Sequence, residues 1–215
     1  MARDTAEAVE KIARANPSAD LLELRLDAMA SFRLSDMIQE ASKPVIVTYR
    51  SRKEGGHSSK DDETRARHLL NAIENQVDYV DLEYSMPPDL QNQILRNRGE
   101  TKIIASVHVL DRTPSGEELD RVLNDLAGTG ADILKIVTRA QQPEDNLRVM
   151  DLIPRAKGMG LKIIALCMGE AGRISRVASL LFGGYLTFAS LDQGEESADG
   201  QIPVKEMREI LAAFL

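Results

Sequence analysis

Leu21-Leu22-Glu23-Leu24-Arg25-Leu26-Asp27 alternates leucines with charges. In extended chain successive side chains point to opposite faces, so Leu22, Leu24 and Leu26 share one face and Glu23, Arg25 and Asp27 the other. Three charges on one face of a strand that helices cover need partners. The same split into an apolar and a polar face recurs with Thr48 and Arg50, with Asp81 and Glu83, with Ser106 and His108, and with Lys135. If the apolar faces meet outer helices, the polar faces converge inside a closed parallel barrel near the C-terminal ends of its strands, where (β/α)8 barrels carry their chemistry.

Outward from that stretch, β-type runs at 20–27, 44–50, 78–84, 102–109, 132–138, 161–168 and 184–190 alternate with helical patterns at 5–15, 62–75, 88–97, 115–127, 143–157, 173–182 and 203–214, with a short extra helix at 35–41. The strand starts fall roughly 23 to 34 residues apart, the length of a strand, a crossover helix and two short loops. Ser115 and Glu118 form a capping box, and Val204, Met207, Ile210, Leu211 and Phe214 recur at helical spacing. An open doubly wound sheet is the competing fold, but it expects a Gly-x-Gly-x-x-Gly turn after its first strand, and none stands there. Gly169 and Gly172 follow a late strand and open a helix, a turn that could present N–H groups to an anion or could simply be turn geometry.

The composition of 215 residues, 43% hydrophobic and 28% charged, fits one globular domain over 1–215. The lone Cys167 rules out an intrachain disulfide and points to a reducing, cytoplasmic setting. The apolar runs are too short to span a bilayer, and the N-terminus lacks the order of a signal peptide. A net charge of −7 argues against a general nucleic-acid surface. The cysteine and the scattered histidines lack metal-ligand spacing.

Lys135 interrupts the apolar run Ala131-Asp-Ile-Leu-Lys-Ile-Val137. Burial disfavours a charged ammonium and yields the neutral amine that attacks a ketone to form a Schiff base, whereas a lysine at a strand end can also reach water. His108, taken alone, reads as a core histidine satisfied by a backbone carbonyl before it reads as a catalytic one, and Glu54, taken alone, as a solvated loop charge.

The motifs Glu23-Leu-Arg-Leu-Asp27, Thr48-Tyr-Arg-Ser-Arg-Lys-Glu-Gly-Gly56, Asp78-Tyr-Val-Asp-Leu-Glu83, Ser106-Val-His108, Asp132-Ile-Leu-Lys-Ile136, Met168-Gly-Glu-Ala-Gly-Arg-Ile-Ser-Arg176 and Ala198-Asp-Gly-Gln-Ile202, in this order, resemble the type I 3-dehydroquinate dehydratase family. The resemblance spans nearly the whole chain and implies an α/β, (β/α)8 TIM barrel. The family pattern has a first strand and an N-terminal hairpin ahead of the segment matched by Ala2–Glu7, so the barrel read here counts seven strands and lacks the first.

The resemblance further implies a hydro-lyase without a cofactor, turning 3-dehydroquinate into 3-dehydroshikimate. Lys135 condenses with the C3 ketone, and the iminium accepts electrons as His108 removes a C2 proton and then carries protons for loss of the C1 hydroxyl and for imine hydrolysis. Glu54 orients that histidine. Arg176 takes the substrate carboxylate, while Glu23, Arg25, Arg50, Ser197 and Gln201 contact ring hydroxyls or steady the lysine. Asp81 and Glu83 serve as counter-charges to the arginines, or as part of a purely structural ion-pair network. The 192–201 segment reads as a lid. The family pattern also implies a homodimer. Two other readings stay open: a class I phosphosugar aldolase, which would use the Gly169–Arg176 turn for phosphate, and a catalytically inactive barrel kept for assembly with a partner.

Overall fold

Strands and helices alternate throughout the computed structural model, which describes residues 1–214. The chain divides into two compact units, Met1–Ile104 and one that begins at Ala105.

The first unit runs α1 (Thr5–Ala15), β1 (Leu22–Arg25), α2 (Leu34–Glu40), β2 (Val45–Thr48), α3 (Asp62–Glu74), β3 (Tyr79–Glu83) and α4 (Pro88–Asn97). Local chemistry sets the helix starts. Asp4 accepts from the Glu7 N–H to cap α1, Asp61 accepts from the Thr64 N–H to cap α3, and Pro88 opens α4, where no amide partner is needed. β1, β2 and β3 pair in parallel, with Leu22 opposite Val45, Arg25 opposite Thr48 and Thr48 opposite Asp81. Every residue of β2 and β3 is buried, as expected of parallel strands covered on both faces. α3 packs on both strands and on α4. In β1 the leucines are buried and Glu23 and Arg25 half-buried, so the alternation holds as far as Arg25. Asp27 lies beyond the strand, in a 3-10 turn over Leu26–Ala28.

β4 (Lys102–His108) leads into the second unit, which continues with α5 (Gly116–Ala127), β5 (Ile133–Arg139), α6 (Asp145–Met150), α7 (Leu152–Gly158), β6 (Lys162–Met168), α8 (Arg173–Leu181) and α9 (Val204–Ala212). The capping box at Ser115 forms as expected. β5 and β6 pair in parallel over seven residues, from Ile133 opposite Lys162 to Arg139 opposite Met168. Leu134 and Ile136 face a core built with Leu119, Leu123, Leu126, Leu152, Ile153 and Ala156, which leaves Lys135 on the other face of the strand.

Two sequence expectations change. The helix read over 143–157 is two helices, because Pro154 has no N–H for the Met150 carbonyl. The seventh strand, read over 184–190, is not a ladder strand. Its Tyr185 N–H reaches the Ile163 carbonyl at 2.8 Å, and it ends in an isolated bridge between Ser190 and Pro203. Its bridge partner is a proline, which cannot donate to a ladder.

Candidate active site

In the first unit the polar faces of β1, β2 and β3 form an acid–arginine network at the strand ends. Arg50, 3% exposed, lies 2.7 Å from Asp81 (Nη2 to Oδ2), 3.1 Å from Glu83 (Nη1 to Oε1) and 3.7 Å from Glu54 (Nη1 to Oε2). Burial alone would lower its proton affinity, but the three carboxylates outweigh it and hold the guanidinium above its ordinary value. Arg25 grips Asp27 through two bonds of 2.9 Å, and Asp27 also accepts the backbone N–H groups of Arg50 at 3.2 Å and His57 at 3.1 Å. Burial would raise the Asp27 carboxyl; Arg25 and these donors hold it below the usual range. Glu23 accepts the Thr48 hydroxyl at 2.8 Å.

Glu54 ends a short 3-10 turn after β2 and is buried. The Ser85 hydroxyl donates to its Oε1 at 2.6 Å. Burial, joined by the neighbouring Glu83 charge, pushes its pKa up to about 7 against the pull of Arg50. The sequence reading assigned Asp81 and Glu83 to the arginines, and Arg50 does hold both, whereas the partner of Arg25 is Asp27. It missed Arg65 of α3, a buried arginine paired with Glu83. A signal was there: Arg65 shares the buried helix face with Ala66, Leu69 and Ile73, where a charge demands a partner.

In the second unit Lys135 is 4% exposed, at the middle of β5, and its Nζ lies 4.3 Å from the centroid of the Phe188 ring. Phe188 belongs to the 184–190 segment, and nothing in its sequence marked it. His108 ends β4, half-buried; the next residue, Val109, donates its N–H to the Val137 carbonyl at 2.8 Å, which sets the histidine beside the lysine-bearing strand. Arg176 sits on α8 at 2% exposure. Its Nη2 donates to the Asp199 carbonyl at 2.9 Å, while its Nε has no hydrogen-bond partner among the described residues. Burial pulls its pKa down to about 10, outweighing the opposing pull of Cys167 and Asp199. A guanidinium so desolvated favours an incoming carboxylate. Ser197 and Gln201 bond to each other, Ser197 N–H to Gln201 Oε1 at 2.7 Å and Gln201 Nε2 to Ser197 Oγ at 3.1 Å.

The Gly169–Gly172 turn is held by close packing. The Gly169 N–H donates to the Asp199 carbonyl at 3.3 Å, and a Cβ on Gly172 would lie 2.7 Å from the Cys167 backbone. Among the described residues no group of three or more His, Cys, Asp or Glu side chains is placed to hold a metal ion, and no helix is long and apolar enough to cross a membrane.

Comparison with known proteins places the chain in a family. Residues 1–214 match the family described as Type I 3-dehydroquinase. A 3-dehydroquinate dehydratase of Methanococcus maripaludis (strain S2) is 37% identical over 211 residues, 97% of this chain and 94% of that protein. Crystal structures of 3-dehydroquinate dehydratases from Geobacillus kaustophilus HTA426 and from Aquifex aeolicus VF5 are also similar. The first has a TM-score of 0.86 at 29% identity, covering 97% of this chain and 85% of that one; the second has 0.79 at 30%, covering 99% and 96%. The fold class is thus the α/β, TIM-barrel-like one read from the sequence. With an alternating parallel βα chain, a buried lysine at mid-strand and a match from end to end, this chain belongs to the type I 3-dehydroquinase family.

Proposed function

We propose that the chain is a hydro-lyase that converts 3-dehydroquinate to 3-dehydroshikimate, a step of the shikimate pathway, through a Schiff base on Lys135. The observation that carries this reading is the placement of Lys135: a primary amine 4% exposed on the face of β5 turned away from the helix-side core, in the same unit as a desolvated arginine suited to a carboxylate. The relatives' names supply the substrate.

The amine adds to the C3 ketone and water leaves, giving an iminium. His108 removes a C2 proton, and the electron pair moves toward the iminium. The C1 hydroxyl then departs as water with a proton from His108, and hydrolysis of the imine frees the product and the lysine. Glu54 steadies the histidine, Arg176 takes the carboxylate, and Glu23, Arg25, Arg50, Ser197 and Gln201 read the ring hydroxyls or hold the lysine. No cofactor enters these steps. The whole chain works as one catalytic domain, in the cytoplasm, as a homodimer.

The phosphosugar aldolase reading finds less support, since the turn it would use for phosphate already gives the Gly169 N–H to the Asp199 carbonyl. Borohydride reduction in the presence of 3-dehydroquinate, followed by peptide mass spectrometry, tests the proposal. A reduced adduct on Lys135 that Lys135→Ala abolishes, together with nearly all turnover, is expected. Normal turnover by Lys135→Ala would overturn it.

A further inference from the structure

The 192–201 segment is ordered from within by the Ser197–Gln201 pair and by the Gly194 N–H, which donates to Glu196 Oε1 at 2.9 Å. It is fastened to the body of the second unit at Asp199. The Asp199 carbonyl accepts from the Gly169 N–H at 3.3 Å and from Arg176 Nη2 at 2.9 Å, and Asp199 Oδ2 meets Arg139 Nη2 at 2.6 Å. Beside it, Gly200 at φ 79° passes so close to Gly169 that a Cβ would lie 2.6 Å from the Gly169 carbonyl oxygen. Arg139 is braced in turn: its Nε donates to the Leu110 carbonyl at 2.8 Å, and its backbone N–H to the Arg112 carbonyl at 3.2 Å. It is the last residue of β5, the strand that carries Lys135.

We infer that Arg139 and Asp199 are positioning residues for the reaction: their ion pair latches the 192–201 segment to the end of the lysine-bearing strand, so that Ser197, Gln201 and Arg176 are presented together to a carboxylate substrate. The inference deepens the proposed function and rests on it. The contacts of the Asp199 carbonyl are open to any residue, whereas the Oδ2 contact needs an acid and a facing cation. Asp199 also holds the carbonyl that Arg176 grips, so the ion pair and the carboxylate-binding guanidinium are joined through one residue. The pair is partly exposed, at 36% for the Arg139 side chain and 65% for Asp199, so its effect is modest and screened by salt.

Steady-state kinetics with 3-dehydroquinate on Asp199→Asn, Arg139→Gln and the double variant test this, together with cleavage of the unliganded proteins at Glu195 and Glu196 by a glutamate-specific protease. Each single change is expected to raise KM about two- to five-fold with kcat far less affected, the double variant to be no worse than the worse single, and cleavage to quicken in all three. Exchange of the charges, Arg139→Asp with Asp199→Arg, should restore part of the KM. Multiplying KM effects, or KM and cleavage rates equal to those of the parent, would overturn the latch. Cleavage is read without substrate, so the two readings fail separately. A parent enzyme that ignores 3-dehydroquinate while Asp199→Asn is cut faster sinks the function and leaves the latch. A parent that turns over while Asp199→Asn matches it in KM and cleavage sinks the latch alone.

Discussion

Glu54 and Arg176 are both buried, and burial moves each toward its neutral form: the carboxyl up to about 7, the guanidinium down to about 10. For Glu54 this has a consequence for folding. The folded protein keeps the Glu54 proton until about pH 7, whereas the unfolded chain releases it near the ordinary 4.5. Folding therefore takes up a proton between those values, and this residue's contribution to stability is full below about pH 4.5 and is lost as pH rises through about 7. Glu54→Gln should remove that part of the slope, so denaturant unfolding at pH 5 and pH 8 should differ less in the variant than in the parent; an unchanged difference would contradict the raised pKa. The strand charges Glu23, Arg25, Asp81, Glu83 and Lys135 were legible because alternation exposes them, a charge on the covered face of a strand needing a partner, whereas Glu54 in a turn and Arg176 on a helix were reached only through the family resemblance. Which partner each takes was not legible. The grip of Arg25 on Asp27 depends on the chain turning into a 3-10 helix after Arg25, and the contact of Lys135 with Phe188 on how a segment without a ladder lies.

At the scale of elements, caps and breakers were readable wherever the chemistry is local. Ser115 with Glu118 fixed the start of α5 in advance, and six of the seven expected strands stand within a few residues of their expected places. The seventh misled because its composition is that of a strand while its neighbours decide whether it can pair. The junction of β6 and α8 offers a sharper test of packing. Gly172 has an ordinary φ of −86°, so its need for glycine is purely one of space against Cys167, while the Ser175 hydroxyl accepts the Cys167 N–H at 2.8 Å to draw α8 in. Gly172→Ala should cost about 1–3 kcal/mol in denaturant unfolding and also raise KM, because it displaces the helix that carries Arg176. Ser115→Ala should cost about 1 kcal/mol and leave KM alone. Equal effects of the two on KM would contradict a link between this junction and the placement of Arg176.

For the molecule as a whole, seven short motifs in one order carried more than composition could, and the family assignment rests on the same span of chain, residues 1–214. Composition gave limits and little else, since a net charge of −7 and a lone buried cysteine suit countless proteins. Association is the property least legible in the pattern, because a surface leucine or phenylalanine has no periodic signature. Ile174 of α8 and Phe182 just after it are 62% and 65% exposed. If the proposed homodimer forms, sedimentation at micromolar concentration should give twice the 23.7 kDa of one chain; a single-chain mass throughout would exclude it.

The seven-residue pairing of β5 with β6 places Lys135 and Arg139 on one ruler, four residues and about 13 Å apart and turned to the same side. A slip of one residue would turn both away together, along with every leucine and isoleucine that faces the helices. Any change that shifts this register is therefore felt at the lysine and in the helix packing at once. Change confined to the segments that arrive from elsewhere in the chain, such as the 184–190 stretch that carries Phe188 and the 192–201 stretch fastened at Asp199, leaves that register intact.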